Sequence, residues 1–130
     1  MIANPNSEVG KTIRDYIELR EMSRLYDKKR KDLEKEYNKL LTNYNGESKN
    51  YNLDQADKIY TTYCEMISYG EKSKTASESF NEAELKLKEI GQILYEATIH
   101  AEISMPAING TEAHTRAVMV TYNNGEVVVH

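Results

Sequence analysis

Apolar and tyrosine side chains recur every three and four positions over the first third of the chain. The stripe reads Val9, Thr12, Tyr16, Leu19, Ser23, Tyr26, Arg30, Leu33, Tyr37, Leu40, Tyr44. Held for about five heptads, this a/d spacing specifies a helix that packs along its whole length against another helix. Asn4-Pro5-Asn6-Ser7 supplies the start signal, with Glu8 in the first turn to meet the positive end of the helix. The helix is expected from about Ser7 to Tyr44, and Asn43-Tyr44-Asn45-Gly46 is a stop, with Asn or Gly free to take the left-handed cap. Asp27 and Lys31 form an i,i+4 pair on the wet face, but such pairs are few, so the seam is the main support.

A second helix opens at Asn52-Leu53-Asp54-Gln55, which has the form of a capping box. Its seam runs Ala56, Ile59, Tyr63, Met66, Gly70, Ser73, then Phe80, Ala83, Leu87, Ile90, Leu94, Ala97, Ala101. The two runs are offset near Ser77, as a stammer in a coiled coil would be. Residues 70–79 are poor helix formers, so the helix either passes through with a thin waist or breaks there. Met105-Pro106 is expected to end the helical region, because a residue before proline is pushed out of the α basin.

The period then changes from 3.6 to two. Residues 115–122 alternate as a strand, Asn124-Gly125 has the signature of a type I′ turn, and 126–130 form the return strand. A two-residue loop sets Tyr122 opposite Val127 and Val120 opposite Val129. One face then carries Val118, Val120, Tyr122, Val127 and Val129, and the other Ala117, Met119, Thr121, Val128 and His130. An isolated hairpin is marginal in water, so this one should pack on the helices or join strands of another subunit. The fold class is therefore mainly α with a small β element: an antiparallel helical hairpin over 1–106 and a C-terminal β-hairpin over 107–130.

Composition fits an elongated helical protein. Hydrophobic residues make up 39% and charged residues 29%, against averages of about 45–50% and about 25%. The aromatic set is ten Tyr, one Phe and no Trp. Tyrosine buries its ring and keeps its hydroxyl wet, which suits shallow seams. The net charge of −4 gives no general pull toward nucleic acid or anionic membrane. Residues 11–39 carry ten Lys/Arg against seven Asp/Glu, whereas residues 46–130 carry seven against thirteen, an asymmetry that favours contact between the two parts along a hairpin or between subunits. The basic run Lys28-Lys29-Arg30-Lys31 lies among Asp27, Asp32 and Glu34, which makes it a solvated face. With one cysteine, Cys64, there is no disulfide framework. The first residues have no basic-then-apolar leader and no stretch is apolar enough to span a membrane, so the location expected is cytoplasmic or intravirion, not secreted.

No motif names a reaction. Gly10-Lys11-Thr12 resembles the tail of a phosphate loop, but Pro5 stands where the first glycine belongs. Glu96 and His100, four apart, with Glu102 near, fall short of a metal-ligand set and read as an i,i+4 pair on a helix surface; His114 and His130 would have to join them through folding. Cys64 beside Tyr63 reads as a small buried hydrophobe. Asn109-Gly110-Thr111 matches a glycosylation sequon but is read as a turn. Tyr60, Tyr63 and Tyr69 with Lys58, Lys72 and Lys74 form an aromatic-basic cluster, the mix that stacks bases and holds phosphates; a tyrosine-lined helix interface accounts for it better.

These features predict a non-enzymatic, self-associating protein without cofactor or metal, serving as a structural or assembly component of a multisubunit complex such as a phage particle. The interaction residues expected are Tyr16, Leu19, Tyr26, Leu33, Tyr37 and Leu40 on the first helix and Val118, Val120, Tyr122, Val127 and Val129 on the hairpin. The partners expected are further copies of the chain or another protein. The alternative is a small inhibitor or sequestering factor that masks a host protein or binds a nucleotide between subunits.

Overall fold

The computed structural model describes residues 4–45, 53–108 and 112–130. Two long helices, α1 (Glu8–Asn45) and α2 (Leu53–Gly91), pack against each other. They are followed by a three-stranded antiparallel sheet of β1 (Glu96–Met105), β2 (His114–Asn123) and β3 (Glu126–Val129), in the order β1-β2-β3. The expected helix stop at Gly46, the Asn52 cap and the Asn109-Gly110-Thr111 turn lie outside the described residues.

The start of α1 is tightly specified. The Gly10 amide donates to Ser7 Oγ at 3.1 Å, and Ser7 Oγ donates to the Asn4 carbonyl at 2.7 Å. The chain before the helix thus folds over its first turn. A β-carbon on Gly10 would overlap the Asn4 carbonyl and lie 2.8 Å from Pro5 Cα, so glycine is needed there for packing. This cap accounts for Gly10-Lys11-Thr12 without any phosphate.

The helices meet in one heptad register. Ser23, Arg30 and Tyr37 climb α1 by sevens and meet Ser77, Gly70 and Tyr63, which descend α2 by sevens. Ser23 Oγ is 2.8 Å from Ser77 Oγ, the Arg30 stem passes over Gly70, and the Tyr37 and Tyr63 rings are 5.6 Å apart. One heptad before Ser23, Tyr16 lies against Phe80 at 5.0 Å, and between Ser23 and Arg30 Tyr26 lies against Tyr69 at 6.1 Å.

Helix α2 is continuous through residues 70–79, and its seam has no phase slip. The inward positions are Ile59, Thr62, Met66, Tyr69, Ser73, Ala76, Phe80, Ala83, Leu87 and Ile90, in unbroken steps of three and four. The apparent offset arose from placing Tyr63 and Gly70, which flank the helix contact, on the stripe in place of Thr62 and Tyr69. Buried Thr62 and Ala76 carry it through, since a close helix pair favours small side chains at those levels.

The helical region does not reach Met105. It ends at Gly91, where the Ile93 and Leu94 amides both donate to the Ile90 carbonyl. Residues 96–105 form β1, paired with β2 from Glu96↔Asn123 to Met105↔His114. Leu94, Ala97 and Ala101 do fit a helical stripe. Yet Ala97, Ile99, Ala101 and Ile103 also alternate with polar residues, and a full ladder with β2 decides for that period.

The hairpin has the expected register, with Tyr122↔Val127 and Val120↔Val129. Asn124 at φ 46° and Gly125 at φ 90° make the turn, both in the region a type I′ turn requires. The face carrying Val118, Val120, Tyr122, Val127 and Val129 packs inward, with Ala97, Ile99 and Ile103 of β1, on Ile13, Ile17 and Leu87 of the helices. The main core is thus at the sheet end of the hairpin. Beyond it α1 has one fully buried apolar side chain, Leu33, among the described residues.

Candidate interaction surfaces

The expected interaction residues are mostly used inside this chain. Tyr16, Tyr26 and Tyr37 each meet an α2 aromatic, and Leu33 is buried between the helices. Leu40 is half-buried, and Leu19 with Tyr26 lines a groove of about 470 Å³ against Ala76 and Lys72 of α2. Val118, Val120 and Tyr122 are fully inside, with Val127 and Val129 half-buried against the same core.

The aromatic-basic cluster on α2 is divided by the same packing. Tyr69 lies against Tyr26 and takes the Lys72 ammonium 4.8 Å from its ring centre. Tyr63 is engaged by Tyr37. Of the three tyrosines only Tyr60 is turned fully outward, beside Cys64; hydrogen bonding to the Cys64 sulfur, and then its charge, push the phenol above its ordinary pKa. Cys64 is exposed, so it is not the buried small hydrophobe its sequence context implied. Cys64 falls outside the inward stripe of α2.

Three of the outward apolar residues form a line on α2 that the expected seam did not include. Leu53 is 83% exposed, Tyr60 67% and Ile67 44%, and they stand seven residues apart on one side of α2. Ile67 also borders an apolar groove of about 530 Å³ with Met66, Gly70, Tyr37 and Arg30. Gly70 opens that groove because it has no side chain to fill the space beside Arg30. The 53-60-67 repeat is visible in the sequence, but it is one position out of phase with the inward seam, and the seam takes precedence in any pattern search.

The polar candidates do not converge. Glu96 and His100 lie on β1, not on a helix, and four residue steps along the strand separate them by about 13 Å, too far for the expected pair. His130 Nε2 is 3.0 Å from Thr121 Oγ1, and His114 Nδ1 is 3.0 Å from the Glu112 carbonyl. Among the described residues, no three His, Cys, Asp or Glu side chains come together as metal ligands. Nor is any described helix long and apolar enough to cross a membrane.

One polar contact ties the sheet to the helices. Glu18 Oε1 accepts the Ser104 amide at 2.8 Å, covering one end of the outer edge of β1. Toward the middle of that strand the sheet and the start of α1 leave a cleft of about 660 Å³, bordered by Pro5, Arg14, His100 and Glu102. Fold and surfaces together define a helical hairpin capped at one end by a three-stranded antiparallel sheet, with a line of outward apolar residues on α2. The chain matches no protein-family model, no curated protein and no solved structure.

Proposed function

We propose that this chain is a non-enzymatic, self-associating interaction protein, a structural or assembly component of a multisubunit complex in a cytoplasmic or intravirion setting. The observation that carries the reading is the line of Leu53, Tyr60 and Ile67 on the outward side of α2. Large apolar side chains repeated at heptad spacing on a helix already packed on its other side form a second seam, and burying them in an interface returns about 25 cal/mol per Å². The dispersed histidines and carboxylates favour this class over an enzyme, which needs an acid, base or nucleophile constellation in one place. The lone exposed Cys64 fits a reducing compartment.

Sedimentation velocity across micromolar concentrations tests the proposal. A species larger than the 15.0 kDa chain is expected, with Tyr60→Glu and Ile67→Glu shifting it toward the monomer while helicity is kept. A 15.0 kDa species throughout contradicts self-association.

A further inference from the structure

Charged residues make up 29% of the chain, yet over positions 59–70 of α2 the only one is Glu65. At 3.6 residues per turn, Glu65 points about 140–160° away from Tyr60, Tyr63 and Ile67. The side of α2 that carries those three is therefore free of charge for more than three turns. Leu53, Ala56, Tyr60, Tyr63, Ile67 and Gly70 follow one another there in steps of three and four, the spacing of a packing seam. Its four large side chains are exposed. Loss of charge together with enrichment in tyrosine is what the centre of a protein interface shows. The two ends of this seam carry opposite charge. Asp54, Asp57 and Lys58 set two carboxylates against one ammonium at the start, and Glu71, Lys72 and Lys74 set two ammoniums against one carboxylate at the end.

We infer that this face packs on the same face of a second copy, α2 against α2 in antiparallel orientation, about a two-fold axis level with Glu65. The inference rests on the self-association reading and names the surface, orientation and register that serve it. A two-fold joint must be self-complementary. Antiparallel packing brings each acidic end to the basic end of the second copy, whereas parallel packing sets like ends together. With the axis level with Glu65, Tyr60 stands opposite Gly70 of the second copy and Tyr63 opposite Ile67. Gly70 borders the apolar groove of about 530 Å³, together with Met66, Ile67, Tyr37, Arg30 and Lys74. The outward Tyr60 ring thus meets the hollow that glycine leaves, and the cations of Arg30 and Lys74 flank it. Asp57 comes within one residue step of Lys74. A slip of one heptad in one direction sets Asp57 against Met66 and carries Lys74 past the start of the facing helix. A slip in the other direction sets Tyr63 against Lys74 and Leu53 against Glu84.

Sedimentation equilibrium of the full chain and of charge variants tests this. Asp57→Lys places ammoniums beside each other twice and is expected to raise the dimer Kd about tenfold. Adding Lys74→Asp to that variant rebuilds the opposite-charge pairs and is expected to restore most of the affinity. Independently, Cys64 is exposed and one residue from the axis level, so the two thiols lie about 3 Å apart along the helix direction. A short bis-maleimide should link the wild-type chain into dimers. Glu78→Cys in a Cys64→Ser background should give no link, because the same register spreads those positions about 39 Å apart, whereas parallel packing joins them. The cross-linking arm decides the matter if Asp57→Lys does not fold. A wild-type chain that stays monomeric overturns both this inference and the self-association reading. An oligomer whose Kd is unchanged by Asp57→Lys, or weakened without relief from Lys74→Asp, overturns the antiparallel α2 pairing alone. So does an oligomer that links through position 78 or fails to link through Cys64.

Discussion

The hydroxyl of Tyr122 is buried against the end of α2, 3.0 Å from where a β-carbon on Gly91 would stand. Among the described residues it has no hydrogen-bond partner. The ring fills the core between sheet and helices, and the glycine at the end of α2 leaves room for the hydroxyl. An unsatisfied buried hydroxyl is a net cost. Tyr122→Phe is therefore expected to leave the fold unchanged and raise stability by about 1 kcal/mol in urea denaturation.

Gly91→Ala alone should lose about 1 kcal/mol, because the tight contact outweighs alanine's better helix propensity. In the Tyr122→Phe background the same change should be neutral or favourable. Two residues in contact show such coupling in a double-mutant cycle, and additive effects would mean that the contact carries no strain.

Ile17 is fully buried under the sheet, whereas Leu25 on the same helix is only half-buried. Ile17→Ala is expected to cost about 3 kcal/mol, and Leu25→Ala under about 1 kcal/mol. Losses of equal size in chemical denaturation would show that the sheet does not anchor on this face of α1.

Ser23 and Ser77 share a part-buried hydrogen bond at the middle of the helix pair. Ser77→Ala leaves Ser23 without that partner and should cost about 1 kcal/mol. The double change Ser23→Ala with Ser77→Ala removes both hydroxyls and should lie close to wild type. A double variant that loses the sum of the single losses would indicate that the contact matters for packing and not for its hydrogen bond.

Asp27 is held below its ordinary carboxylate pKa, first by its hydrogen bond to Lys31 and, after a small opposing effect of burial, by Arg30. A depressed carboxylate contributes stability that is complete at neutral pH and is lost as the pH falls from the ordinary aspartate value through the lowered one. The side chain is largely solvated, so the contribution is small. Carbon-detected NMR titration should find the Asp27 midpoint low, and Lys31→Ala should move it up; no movement would assign the shift elsewhere.

The sequence by itself determined the heptad register of α1 and the strand register of the hairpin. Both are local periodicities: Tyr16, Leu33 and Tyr37 recur at helical spacing, and Asn124-Gly125 fixes which of Val120, Tyr122, Val127 and Val129 face each other. Ile13 and Ile17 were legible only as residues off the main stripe, because they serve a second face that exists once a sheet lies on α1. The outward line of Leu53, Tyr60 and Ile67 was likewise hidden behind the stronger inward seam. Tertiary structure alone decided residues 96–105. Leu94, Ala97 and Ala101 satisfy a helix, Ala97, Ile99, Ala101 and Ile103 satisfy a strand, and local preference does not separate them. Ten residues of pairing with β2, together with burial of Ile99 and Ile103 on Ile13 and Ile17, are non-local gains that only the strand can collect.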